Sequence, residues 1–304
     1  MRDSLTGMTS SAAPFGRVLT AMVTPFTADG ELDLDGAAAL AASLVAQGND
    51  GLVVSGTTGE APTTSDEEKS ALLRAVVDAV GSRAHVLAGV GTNDTRHTVE
   101  LARAAEKAGA SGLLVVSPYY SRPPQAGLQA HVERVAGATE LPVMLYDIPV
   151  RTGVPFRHET LEALSRHPQV LAVKDAKDDL SETSWLLRET GLAVYSGSDQ
   201  LNLPLLSIGA VGMVSVVSHV VTPQLVELVR AFDAGDVARA RELHLQLQPV
   251  YRGMFRTQGV ILAKAALALL GTPVGGVRLP LVDATDEQRE VLASDLAAGG
   301  VPLA

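Results

Sequence analysis

The chain has no cysteine, which excludes disulfide staples and thiolate nucleophiles and removes any redox argument about compartment. It also lacks an apolar run long enough to span a bilayer. The longest, from Val260 to Leu270, is short and broken by Lys264. Basic residues are few, 24 Lys and Arg against 34 Asp and Glu, for a net charge of -10. That balance argues against nucleic acid, whose binding needs clustered cations. It also means that an anionic substrate must be drawn in by local positive charge. No two of the seven histidines stand at i, i+2 or i+4, so a metal-dependent mechanism lacks its ligand pair. No Gly-x-Gly-x-x-Gly follows a strand-like run, which disfavours a dinucleotide site. Residues 1–15 are rich in Ser, Thr and Ala without an apolar h-region. They read as a disordered tail and not a signal peptide, and the cytoplasm is the expected location.

What is present is a soluble globular composition, 46% hydrophobic and 19% charged over 304 residues, enough to bury a full core. Eight short β-branched runs recur: 18–24, 51–55, 85–90, 112–117, 143–147, 170–174, 193–196 and 212–217. Between them lie segments of helical periodicity, such as 35–47, 66–80 and 94–108, each opened by an acidic cap-like residue. Strands that are apolar throughout and alternate with helices predict a parallel sheet covered on both faces. Eight such units predict a (β/α)8 TIM barrel over residues 16–232. Further helical segments at 236–247, 255–270 and 286–297 exceed what a barrel needs and predict a C-terminal helical extension over 233–304. No linker or change of composition marks an independent second domain.

Lys174 closes the apolar run Val170-Leu171-Ala172-Val173. A lysine held against apolar walls loses hydration of its charge, so its pKa falls. The resulting neutral amine is the nucleophile that Schiff-base chemistry needs. Barrel enzymes carry their chemistry at the C-terminal ends of the strands, and those positions gather a proton-handling set around the lysine. Gly56-Thr57-Thr58-Gly59-Glu60 follows the second strand, Tyr119-Tyr120 the fourth, Tyr146-Asp147 ends the fifth, and Gly197-Ser198-Asp199 follows the seventh. Arg151, just beyond the fifth strand, can hold a carboxylate through a bidentate fork. Each member has a plainer reading: a snorkelling lysine, a core phenol, a structural Gly-rich turn, a surface arginine. Their joint occurrence on one barrel face favours chemistry.

These motifs, with Tyr146-Asp147-Ile148-Pro149-Val150-Arg151-Thr152-Gly153 and Val173-Lys174-Asp175, resemble the pyruvate-dependent class I aldolases typified by dihydrodipicolinate synthase and N-acetylneuraminate lyase. The resemblance runs in order from about Gly16 to the C-terminus. It implies a barrel assembled as a dimer of tight dimers, a homotetramer, with no external cofactor and no metal. It implies Lys174 as the Schiff-base lysine, Tyr146 as the acid/base above it, and Thr57 in a proton relay. Tyr120 would complete that relay in the neighbouring subunit's site. Thr58 would hold the pyruvate carboxylate, with Gly197 and Val214 as further substrate-binding positions. Thr57-Thr58 and Arg151 resemble the synthase branch, where the arginine binds the carboxylate of aspartate semialdehyde. The expected substrates are therefore pyruvate and L-aspartate 4-semialdehyde, on the path to lysine and diaminopimelate. The sequence departs from the family pattern at Asp147, often Asn, and at Ser198, often acidic or Asn. His97 and Lys69, where lysine-sensitive relatives carry other groups, imply weak feedback by L-lysine. Two rivals stand beside this reading: an aldolase of a keto-deoxy sugar acid, separated by an aldehyde panel, and a silent ketoacid-binding barrel, separated by turnover.

Overall fold

The computed structural model describes residues 13–304. In chain order the elements are β1 (Val18–Ala21), α1 (Leu34–Ala46), β2 (Gly51–Val54), α2 (Asp66–Val80), β3 (His85–Gly89), α3 (Thr95–Lys107), β4 (Gly112–Val116), α4 (Gln125–Ala136), β5 (Val143–Asp147), α5 (Pro149–Thr152), α6 (His158–Leu164), β6 (Val170–Asp175), α7 (Leu180–Glu189), β7 (Ala193–Ser196), α8 (Asn202–Ile208), β8 (Gly212–Ser215) and α9 (Ser218–Asp233). Four more helices follow: α10 (Val237–Gln246), α11 (Gln248–Met254), α12 (Gly259–Leu269) and α13 (Asp286–Ala298). The eight strands close into one parallel barrel in sequence order.

Strand parity divides the apolar residues into two cores. Val18, Leu52, Val86, Leu113, Val143, Val173 and Met213 point outward beneath the helices. Leu19, Val53, Leu87, Leu114, Met144, Ala172 and Val214 fill the barrel interior. Because successive side chains alternate, Tyr146 and Lys174, two residues beyond Met144 and Ala172, are carried to the inside. They are also register partners across β5 and β6.

The structure shifts several expected boundaries. Residues 1–12 of the expected tail lie outside the described residues, but Phe15, placed within that tail, is buried. Its backbone N–H donates to Tyr195 Oη at 3.1 Å, and the ring joins the interior cluster. The first helix is capped by Asp33, whose carboxylate accepts from Gly36 N, and not by Asp35. The second is capped by Ser65 in a reciprocal box with Glu68; Asp94 caps the third as expected. The eighth barrel helix begins early, at Ser218, because it is kinked at Val221 two residues before Pro223. The helix expected over 255–270 begins only at Gly259, as α12, and a further helix that was not expected, α11, fills 248–254 before a break at Phe255–Gln258. That break lets the C-terminal helices form part of the wall over the strand ends. Lys264 on α12 is buried in an ion pair, 2.7 Å from Glu60 Oε1, tying this region to the loop that carries Thr57 and Thr58.

Candidate active site

The C-terminal ends of the strands open into a cavity of about 440 Å³ containing Lys174, Tyr146, Thr57, Thr58 and Arg151, with Gly197 beside them. The Lys174 ammonium lies over the Tyr146 ring, 4.2 Å from its centre. Both side chains are buried. Burial pushes the lysine down to about 8, against the Asp199 carboxylate, which favours its charge; the nearby Arg151 adds to the fall. At neutral pH about one such amine in ten is therefore unprotonated, far more than for a solvated lysine. Burial pushes the Tyr146 phenol the other way, up to about 12, opposed by Arg151 and the Thr57 hydroxyl. The pair thus offers an amine that can lose its proton and a phenol that keeps one.

Gly197 must be glycine here. A Cβ would stand 2.9 Å from the Asp175 carbonyl oxygen and 3.1 Å from Lys174 Cγ, blocking the path of the lysine side chain. Arg151 Nη1 donates to Gln258 Oε1 at 2.9 Å, which fixes the guanidinium from the C-terminal region.

One expected site residue lies elsewhere. Val214 is packed in the barrel interior, and Val216, two residues further along, is the one that lines the cavity. Tyr120 does not reach Lys174 within its own chain. It is 90% exposed with φ +72°, a left-handed conformation rare for an aromatic residue. It borders a second cavity, of about 620 Å³, shared with Tyr119, Asn93 and His97. Thr57, Tyr146 and Arg151 face both cavities.

Asp147 is wholly buried, and burial raises its carboxyl to about 6 against the pull of Lys177, whose Nζ is 3.5 Å away. Asp175, opposite it in register, accepts from Thr183 Oγ1 and from Lys177 N. Asp199 is held by Ser215 Oγ and by the backbone N–H groups of Val216 and Val217. Asp178, Tyr251 and Gln258, which belong to none of the motifs, also line the Lys174 cavity. Among the described residues no group of three or more His, Asp or Glu is arranged to hold a metal. No helix there is long and apolar enough to cross a membrane.

Residues 14–299 match the model of the dihydrodipicolinate synthetase family. The chain belongs to that family. It is 64% identical over 290 residues to 4-hydroxy-tetrahydrodipicolinate synthase 2 of Streptomyces coelicolor, covering 95% of this chain and 97% of that one. It is 66% identical over 288 residues to the 4-hydroxy-tetrahydrodipicolinate synthase of Acidothermus cellulolyticus, covering 95% and 94%. Among solved structures, the DHDPS of Cyanidioschyzon merolae with lysine bound superposes with a TM-score of 0.93 at 41% identity, covering 95% and 99%. Membership of the dihydrodipicolinate synthetase family makes this an enzyme, and its barrel with added C-terminal helices is the fold of those neighbours. The departure at Asp147 has a local explanation within the family fold, since Lys177 supplies the charge that a buried carboxylate needs.

Proposed function

We propose that the enzyme condenses pyruvate with L-aspartate 4-semialdehyde to give 4-hydroxy-tetrahydrodipicolinate, the reaction for which its relatives in Streptomyces and Acidothermus are named. The observation that carries this reading is the buried Lys174 amine against the face of the Tyr146 ring, with Thr58 and Arg151 on the same cavity.

Neutral Lys174 adds to the pyruvate ketone, and Tyr146 supplies the proton with which the hydroxyl leaves as water. The protonated imine draws electrons from the methyl C–H bond, a proton departs, and an enamine forms. That carbon attacks the aldehyde carbonyl, and the new alkoxide takes a proton through the phenol and hydroxyl relay of Tyr146 and Thr57. The substrate amine then closes on the imine carbon and expels the Lys174 amine. Thr58 holds the pyruvate carboxylate, Gly197 leaves room for the lysine, and Arg151 holds the carboxylate of the aldehyde. No external cofactor is required, because the lysine itself provides the electron sink.

Tyr120 completes the relay from a neighbouring subunit, in a tetramer built as two tight dimers. Its 90% exposure and left-handed backbone support that role, since they hold the phenol out from its own chain, beside the second cavity that Thr57 and Tyr146 also face. The reaction belongs to the cytoplasmic synthesis of diaminopimelate and lysine. Turnover with pyruvate and a panel of aldehydes tests the reading. Aspartate semialdehyde should be used best, and preference for a polyhydroxy aldehyde would replace it with a sugar-acid aldolase.

A further inference from the structure

We propose that Asp178 recognises the α-ammonium group of the aldehyde substrate, making it a specificity-determining residue that works opposite Arg151. The proposal rests on the reading that this substrate is an amino-acid aldehyde. Two aspartates stand side by side after β6, and the structure accounts for only one of them. Asp179 caps α7, accepting from Ser181 N and Glu182 N. Asp178 caps nothing. It turns into the cavity that holds Lys174 and Arg151, with φ +61°, a conformation that a side chain with a Cβ adopts under strain.

Its carboxylate is oriented from across the cavity mouth, because Ser198 Oγ donates to Asp178 Oδ1. The adjacent cation is already committed elsewhere: Lys177 turns inward to Asp147. Among the described residues no ion pair includes Asp178, so a negative charge faces the cavity without a cationic partner. The same cavity presents the Arg151 guanidinium. One anion and one cation on a shared wall complement a zwitterion bearing an ammonium and a carboxylate. A polyhydroxy aldehyde has neither charge and gains nothing from the pair. In a chain of net charge -10, this carboxylate also discourages a second anionic pyruvate from occupying the aldehyde position.

The test compares wild type, Asp178→Asn and Asp178→Gly with two aldehydes. One is aspartate semialdehyde. The other is succinic semialdehyde, which keeps the carboxylate and carries hydrogen in place of the ammonium. The glycine variant relieves the positive φ, so loss of fold does not confound the result. Both variants should raise KM for aspartate semialdehyde about tenfold, the lower range for losing a charge-assisted contact at a solvent-open site. Succinic semialdehyde has no amine to expel Lys174 and acts as a dead-end competitor; its inhibition constant, and the KM for pyruvate, should stay within about twofold. Unchanged preference for the amino aldehyde would overturn the assignment, as would an equal loss with both aldehydes. If wild type does not consume aspartate semialdehyde at all, the substrate reading falls and the role of Asp178 falls with it.

Discussion

Replacing Lys174 with methionine removes the nucleophile while keeping a side chain of similar length and apolar volume, and the fold should become more stable as activity disappears. Burial lowers the lysine from its ordinary 10.5 to about 8. A fall of about two and a half pH units corresponds to about 3 kcal/mol of preference for the neutral amine. The Tyr146 ring face, 4.2 Å from the ammonium, returns about 1 kcal/mol of that, leaving a net cost of about 2 kcal/mol. Its pH dependence has a defined sign. The unfolded chain keeps the proton up to about 10.5, and the folded chain releases it above about 8. The cost is therefore complete below pH 8, shrinks as pH rises from 8 to 10.5, and is absent above. Urea unfolding at fixed protein concentration measures this. Lys174→Met should unfold at higher urea than wild type at pH 7, with the gap narrowing by pH 10. A variant less stable than wild type at pH 7, or a gap independent of pH, would show that Lys174 carries no such burial cost.

Arg151→Ala should weaken use of aspartate semialdehyde by about 2–4 kcal/mol while leaving imine formation with pyruvate nearly intact; steady-state kinetics and borohydride trapping separate the two, and equal loss in both makes Arg151 structural. Lys177→Met leaves Asp147 buried without a counter-charge and should cost about 3 kcal/mol in thermal or urea unfolding. Adding Asp147→Asn should restore most of it, and failure of that rescue would show that the 3.5 Å pair is not the cause. L-lysine should inhibit weakly. In the second cavity Asp66 is already engaged by His97 Nε2 at 2.8 Å and lies 3.8 Å from Lys69 Nζ, so the carboxylate is not free for an incoming ammonium. Strong inhibition at sub-millimolar L-lysine would contradict this.

The barrel was legible because its strands are buried on both faces and so read as continuous apolar runs, while its helices show one apolar stripe each. Lys174 was legible only through its company, since a lysine closing a strand by itself reads as a snorkelling residue, whereas Thr57, Tyr146 and Arg151 fall on the same strand-end face. Helix starts were less so: Asp33 and Asp35 are equally good caps by residue type, and only the turn geometry selects the first. Phe15 was hidden by its Ser- and Ala-rich surroundings, which say nothing about one ring that plugs the barrel floor. Val214 and Val216 share a parity, and no local signal tells which of the two stands at the level of the cavity. Gln258 and Tyr251 come from the helices after the barrel, so their place over the strand ends depends on how those helices fold back. Asp178 differs from Asp179 only in the backbone angle that turns it towards the cavity.

Everything in the proposed chemistry depends on a covalent link between Lys174 and pyruvate. Borohydride added to enzyme and pyruvate reduces an imine to a stable secondary amine, and peptide mapping by mass spectrometry locates it. The expected result is one adduct per chain, on Lys174, absent from Lys174→Ala. An adduct on Lys177 or Lys264, or none under conditions of active turnover, would contradict the mechanism.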